Sequence, residues 1–100
     1  MNSALPALPA FKFRLYVAGD AANSSQAIAN LRALCRAHLP DHCEIEVVDV
    51  FKHPARALAE AVFMTPTLIK LSPAPARRIV GSLSQADTVL QALGVEPLAA

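Results

Sequence analysis

The sequence predicts one small α/β domain whose strands and helices follow the order βαβ, α, ββα. Two segments with the apolar and polar alternation of a strand, residues 11–17 and 44–50, lie on either side of a helical repeat. A short Ala-rich run and two strand-like segments around a Ser-Pro-Ala-Pro turn then precede a last amphipathic helix. One hundred residues are about one domain of chain, and we expect the domain to occupy residues 11–94, with tails at 1–10 and 95–100.

The first half of the chain predicts a βαβ unit. Phe13, Leu15 and Val17 alternate with polar residues, which is typical of a strand with one well-buried face. A helix should begin near Ser24 and end before Pro40, because apolar residues recur between them at spacings of three and four. Since this helix separates the two strands, we expect the strands to be parallel.

The second half predicts a weakly held helix, a hairpin and a closing helix. Proline suits the first turn of a helix, so residues 53–61 should form one, but its Ala-rich body offers little area to bury. Residues 68–71 and 77–81 flank the turn at 72–75 and indicate a hairpin. The closing helix is expected within residues 84–94, where a capping pattern precedes an apolar stripe and a final glycine.

Charge and composition exclude several function classes. The chain has 9 Lys and Arg against 8 Asp and Glu, a formal charge of +1, which is too small for a general nucleic-acid binder. No apolar run approaches the roughly 18 residues that span a membrane, and the opening prolines interrupt any export signal. Cys35 and Cys43 do not make the disulfide framework of a small secreted domain. We therefore expect a reducing cytoplasm, with no nucleic acid and no membrane as partner.

No motif indicates catalysis, a cofactor or a metal. Three glycines cannot build a phosphate-binding loop, and no nucleophile elbow or catalytic triad pattern occurs, so no enzyme activity is expected. Side-chain types that bind zinc occur together at Cys35, His38, His42 and Cys43. However, Cys35 belongs to the apolar stripe of its helix, and neighbouring His42 and Cys43 would not point at one tetrahedral ion. Glu44 and Glu46 share one strand face and are expected to be exposed.

Several segments, in chain order, resemble the KaiB family of small circadian clock proteins. They are residues 15–19 with Asn23-Ser24, residues 48–50 with Lys52 and Pro54, residues 65–68, and residues 75–81 with Leu83-Ser84. The order of elements, with Thr-Pro opening the third strand, also resembles the thioredoxin fold, in which that proline is typically cis. Where thioredoxins carry Cys-x-x-Cys this chain has residues 20–24, which contain no cysteine.

The resemblance implies a non-enzymatic protein that binds the ring ATPase KaiC and competes with the KaiB-like sensor domain of the kinase SasA. It also implies two folds, a monomeric thioredoxin-like binding form and a resting dimer or tetramer whose second half is rearranged. Pro66, Gly81 and Ser82 are the positions at which we expect such a change to be controlled. Because Ser82 replaces an acid common in the family, we expect this chain to rest largely in the thioredoxin-like form, the alternative being the family's tetrameric ground-state fold.

The basic residues of the second half have two interpretations. Residues 65–81 contain Lys70, Arg77 and Arg78 and no acid, which fits either a docking face for an acidic partner or an ordinary solvated hairpin. The family resemblance favours docking, and Lys52 is added to the set on the same basis. This docking face is a prediction that the burial of each side chain can test.

Large apolar residues around the Ala-rich helix also have two interpretations. Phe51, Phe63 and Met64 are expected to pack in the core, although an exposed contact surface is the alternative, in which Phe51 would bind a partner. Tyr16 is expected to be packed. Two other functions stay open from the sequence, a thioredoxin-related thiol protein that uses Cys35 or Cys43, and a stand-alone sensor domain of the SasA type.

Overall fold

The computed structural model describes residues 11–39 and 43–94, and the predicted order of elements is confirmed. The tails predicted at 1–10 and 95–100 lie outside the described residues. The elements are β1 (Phe11–Val17), α1 (Ala22–His38), β2 (Cys43–Asp49), α2 (Pro54–Ala59), β3 (Thr67–Ser72), β4 (Arg77–Val80) and α3 (Ala86–Leu93). No helix in these two ranges is long and apolar enough to cross a membrane.

The four strands form one sheet in the order β2-β1-β3-β4. β1 and β2 are parallel, as predicted for a βαβ unit, whereas β3 is antiparallel to both β1 and β4. Thr67 at the start of β3 pairs with Tyr16 near the end of β1 and with Val80 at the end of β4. The ends of β1, β2 and β4 and the start of β3 therefore share one end, called here the carboxyl end of the sheet.

Both faces of β1 are buried toward its carboxyl end, so the prediction of a single buried face is incomplete. Phe13, Leu15 and Val17 pack with apolar residues of α1 and α3 in the main core cluster. On the other face Tyr16 packs in a smaller cluster with Val48, Ala57, Val62 and Ile69. Tyr16 is buried there, as expected, because α2 and the chain that follows it cover this part of the sheet.

The helix ends differ slightly from the sequence prediction. α1 begins at Ala22, two residues before the predicted Ser24, because Ser24 does not cap it: the Ser24 hydroxyl accepts a hydrogen bond from the Ala18 N–H at 3.0 Å instead. α2 has only six residues, of which Ala57 alone is buried, and this agrees with the weak apolar hold that was predicted. Gly94 ends α3 in the left-handed conformation with φ 72°.

Cys35 and Cys43 are joined by a disulfide, which the sequence interpretation did not expect. α1 brings Cys35 near its carboxyl end to the first residue of β2, and the two Cα atoms are 6.2 Å apart. Within residues 11–39 and 43–94 no cluster of three His, Cys, Asp or Glu residues could hold a metal. His42, which the zinc hypothesis considered, lies outside these ranges.

Candidate docking surface

Three large apolar side chains are exposed at the carboxyl end of the sheet. Phe51 follows β2, and Phe63 with Met64 precede β3; their exposed fractions are 74%, 81% and 65%. The prediction that they pack in the core is wrong. α2 ends at Ala59, and in the segment that follows it is Val62 whose side chain enters the smaller cluster, while Phe63 and Met64 stay outside it. Large exposed apolar side chains grouped in this way are typical of a binding surface.

Asp49 holds Phe51 in place at this end. One carboxylate oxygen of Asp49 accepts hydrogen bonds from the backbone N–H of Phe51 at 2.9 Å and of Gly19 at 3.2 Å. The Phe51 ring lies against Gly19, where a Cβ atom would come within 3.4 Å of the ring, and Gly19 has φ 52°. Glycine at position 19 therefore allows both the turn after β1 and the close approach of the ring.

A shallow groove of about 180 Å³ lies beside β4 and is called here the β4 groove. Phe63, Met64 and Val80 contribute apolar walls, and Arg78 contributes a cation. The Arg78 guanidinium donates to the carbonyl oxygens of Glu60 at 2.6 Å and Ala61 at 3.1 Å, just after α2. β4 is an edge strand of the described sheet. The groove thus combines apolar side chains, one fixed cation and a strand edge.

The predicted basic residues do not all lie on the surface. Lys52 and Arg77 are exposed, and Arg78 lines the β4 groove. Lys70 is only 3% exposed, because the alternation of β3 turns it toward the α1 and α3 face, where its ammonium group donates to the Leu93 carbonyl at 2.8 Å. Burial lowers the pKa of Lys70. Its predicted place on an exposed docking face is therefore wrong, and it instead holds the end of α3.

Two of the three residues predicted to control a change of fold, Pro66 and Gly81, are joined by a hydrogen bond. The Thr65-Pro66 peptide bond is cis, and the Gly81 N–H donates to the Pro66 carbonyl at 2.9 Å. The Ser82 carbonyl accepts a hydrogen bond from the Asn30 side chain at 2.8 Å.

The connection from β4 to α3 holds its backbone in uncommon conformations. Gly81 has φ 129°, and Leu83 is buried with φ 63°, a left-handed conformation that costs a residue other than glycine about 1–2 kcal/mol. Because the main core cluster holds the Leu83 side chain, this conformation depends on tertiary packing. The link from the hairpin to α3 is therefore a strained segment next to the contact between Pro66 and Gly81.

Five polar residues attach α2 to the sheet in a cluster that the sequence interpretation missed, and they are called here the α2 anchor. They are Arg14, Tyr16, Glu46, Arg56 and Glu60. The Arg14 guanidinium contacts Glu46 and Glu60, each at 2.7 Å, and Arg56 contacts Glu46 at 2.9 Å. The Tyr16 hydroxyl donates to the Glu60 carboxylate. Glu46 is thus exposed, as expected, but it is fully engaged in ion pairs.

The pKa values of the anchor follow from these contacts. Hydrogen bonds from Arg56 and Arg14 lower the pKa of Glu46 from 4.5 to about 2. Burial, together with the hydrogen bond to Glu60, raises the pKa of Tyr16 above 10. The sequence carries one signal for this cluster, since Lys12 and Arg14 on the first strand have the same spacing as Glu44 and Glu46 on the second. Parallel register places Arg14 beside Glu46.

Comparison with known proteins identifies the family. Residues 14–95 match the family model described as the KaiB domain. The chain belongs to the KaiB family. Circadian clock protein KaiB3 from Synechocystis sp. is 43% identical over 84 residues, which cover 84% of this chain and 82% of that protein. Circadian clock oscillator protein KaiB from Prochlorococcus marinus is 40% identical over 77 residues, which cover 77% of this chain and 66% of that protein.

Solved structures confirm the thioredoxin-like fold of this KaiB family member. The N-terminal domain of SasA from Synechococcus elongatus superposes with a TM-score of 0.73, at 18% identity, over 94% of this chain and 92% of that chain. Mitochondrial thioredoxin 3 from Saccharomyces cerevisiae gives a TM-score of 0.66 at 15% identity, over 84% of this chain and 76% of that chain. At these identities the likeness concerns the fold alone.

The disulfide of this chain lies away from the place where thioredoxins carry their cysteine pair. That place is the turn between β1 and α1, at the carboxyl end of the sheet. Cys35 is near the end of α1 and Cys43 begins β2, so the disulfide is at the opposite end. Neither cysteine begins a helix, the position that lowers the pKa of catalytic thiols. This geometry gives no support to a thioredoxin-type active site built from Cys35 and Cys43.

Proposed function

We propose that this KaiB family member acts by binding, as a non-enzymatic clock or stress-response protein that docks on a ring ATPase of the KaiC type. The observation that carries the proposal is the group of exposed apolar side chains Phe51, Phe63 and Met64 at the carboxyl end of the sheet. Exposed apolar surface on a small domain is costly unless a partner covers it. The shared fold of the SasA sensor domain supports competition between the two for one binding place.

Charge supports an acidic partner surface. Lys52 and Arg78 add positive charge beside the exposed apolar group, and Arg77 is exposed at the start of β4, opposite Lys70, which is itself withdrawn into the core. Complementary charge mainly raises the association rate and orients the partner, and added salt weakens it. The docking set that we propose is therefore Phe51, Lys52, Arg77 and Arg78, extended by Phe63 and Met64.

A change of fold in the second half is part of the proposal. α2 has one buried residue, and the β4 to α3 connection is strained at Leu83, so this half could support a second packing at a small cost in free energy. In this scheme Pro66, Gly81 and Ser82 control the change, the binding form is a cytoplasmic monomer, and a resting form would be a dimer or tetramer. A partner that binds one packing must supply about 5.5 kcal/mol of differential affinity to move a ratio of 1:99 to 99:1.

The docking face can be tested by reversing one charge. Arg77→Glu should slow association with a KaiC-type ATPase in the presence of nucleotide several-fold at low salt, because Arg77 is exposed on β4. Arg32→Glu makes the same charge change on the exposed side of α1 and is the matched control. Phe63→Ala should speed dissociation. Wild-type binding that neither Arg77→Glu nor Phe63→Ala alters, or that Arg32→Glu weakens as much as Arg77→Glu does, would refute the docking face, and no binding of wild type would refute the partner.

The resting state needs a separate measurement. Size-exclusion chromatography with light scattering, run with and without the ATPase, should find a monomer in the free protein. An NMR spectrum of the free protein should then match the thioredoxin-like order of strands described above. A single stable tetramer with a rearranged second half would overturn the expectation that this chain rests in the binding form.

A further inference from the structure

The disulfide ties the end of α1 to an edge strand. Cys35 is buried in the main core cluster, while Cys43 is half-buried and packs against that cluster from the first position of β2. Their Cα atoms are 6.2 Å apart, within the range of 4.4–6.8 Å found in native disulfides. The bond closes a short loop, since the two cysteines are eight residues apart in sequence. Positions 35 and 43 are thus close enough to form a bond within one chain.

The two sulfur atoms differ in their access to solvent. Cys43 begins an edge strand and is half-buried, whereas Cys35 is 6% exposed and covered by core residues, so Cys43 is the more accessible of the two to a small thiolate. Thiol exchange depends on which sulfur can be attacked. Attack at Cys43 would leave Cys35 as a buried free thiol, and a free cysteine packs in a hydrophobic core as a small apolar residue does. The pair therefore has one entry point and one protected partner.

We propose that Cys35 and Cys43 form a reversible redox couple that exchanges with small cytoplasmic thiols such as glutathione. In reduction, a glutathione thiolate attacks the Cys43 sulfur, the S–S bond breaks, and its electron pair goes to the Cys35 sulfur, which takes up a proton. A second glutathione thiolate then attacks the outer sulfur of the mixed disulfide and releases Cys43, which takes up the second proton. Two electrons thus reduce the protein disulfide while two glutathione molecules become glutathione disulfide.

The expected compartment and the place of the bond both favour a regulatory role. A disulfide in a reducing compartment is usually transient and redox-sensing, because the thiol pool reduces it. Cys43 lies three residues before Glu46, the carboxylate that holds both arginines of the α2 anchor. Oxidation therefore fixes the start of the strand on which α2 depends, and reduction releases it. This inference does not depend on the proposed ATPase partner.

The redox behaviour can be measured on the full chain by trapping free thiols with an alkylating reagent. Across glutathione buffers that span the cytosolic range, the protein should pass from no free thiol to two, without a lasting mixed disulfide. Cys43→Ser should show one free thiol in every buffer. A wild-type protein that stays fully oxidised or fully reduced across the series would overturn the proposal.

A stability measurement tests the mechanical consequence. The closed loop predicts that reduction lowers the melting temperature by roughly 10 °C, and that hydrogen exchange becomes faster at residues 43–46. Cys43→Ser should have the melting temperature of the reduced wild type, and added reductant should not change it. If it does not fold, the reduced wild type alone provides the comparison. Equal melting temperatures for the oxidised and reduced wild type would contradict a role for the bond in holding β2.

Discussion

Replacing Glu46 tests whether ion pairs, rather than apolar packing, hold α2 on the sheet. Glu46→Gln keeps the shape of the side chain but removes the charge that Arg14 and Arg56 share. α2 buries one apolar residue only, Ala57, so the contacts that remain are polar ones at its end, where Arg14 and Tyr16 hold Glu60. We therefore expect the variant to fold, with α2 held less tightly than in the wild type.

The size of the effect follows from the pKa of Glu46 and from its exposure. Lowering that pKa from 4.5 to about 2 corresponds at most to about 3 kcal/mol, at 1.36 kcal/mol per pKa unit. The Glu46 side chain is 45% exposed, however, and water screens its ion pairs. We therefore expect Glu46→Gln to lower the free energy of unfolding by about 1 kcal/mol at pH 7.

The sign of the pH dependence is fixed by the direction of the pKa change. Because folding lowers the pKa of Glu46, its contribution is complete above its ordinary pKa of 4.5 and is lost as the pH falls toward about 2. The difference in unfolding free energy between wild type and Glu46→Gln should therefore be present at pH 7 and shrink through this range. Urea unfolding at a series of pH values measures it.

Glu44 supplies the matched control for this experiment. It lies two residues earlier on the same face of β2 and makes one exposed ion pair, with Lys12 at 3.7 Å. Glu44→Gln should change the unfolding free energy by no more than a few tenths of a kcal/mol. Equal effects of the two substitutions, or no measurable effect of Glu46→Gln, would refute the view that this network anchors α2.

Two further predictions concern residues that the fold buries. Tyr16 is the only tyrosine, so an absorbance titration of the folded protein should give a midpoint above 10, returning to about 10 in denaturant. Tyr16→Phe should lower the unfolding free energy by about 1–2 kcal/mol at pH 7, a difference that fades as the pH rises through the raised pKa of Tyr16. Lys70→Met should cost about 1–2 kcal/mol in urea unfolding, because the Leu93 carbonyl loses its donor, while Arg77→Met should cost almost nothing. Lys70→Met should also leave the proposed docking on an ATPase unchanged, since Lys70 is not on the surface.

The order of elements could be predicted because short-range patterns determine it. Alternation over residues 11–17, a helical repeat before Pro40 and the proline-rich turn of the hairpin each specify local structure. The exposure of single residues could not be predicted in this way. Phe63 and Met64 have core composition, and their exposure follows from the early end of α2.

The residues missed or misplaced in the site depend on contacts between distant segments. Alternation along β3 predicts that Lys70 shares a face with Leu68. It cannot predict that the Lys70 ammonium group donates to the Leu93 carbonyl at the end of α3, 23 residues later. The contact between Arg14 and Glu46 requires the register of two strands 32 residues apart. The sequence shows which residues of the second half are basic, but only packing decides which of them reach solvent.

The position of α2 in the chain connects its weak hold to the proposed docking. Phe63 and Met64 follow α2, so displacement of the helix would move both side chains, whereas Asp49 holds Phe51 in place before it. Fully burying a large apolar side chain is worth about 1.5–3 kcal/mol, so covering the exposed parts of these three gives roughly 3–7 kcal/mol before the costs of association. This range includes the 5.5 kcal/mol needed to reverse a 1:99 equilibrium. A partner that covers these side chains only while α2 is anchored could therefore select the thioredoxin-like form. Substitutions that weaken the α2 anchor should then lower the affinity of that partner in proportion to the stability they remove.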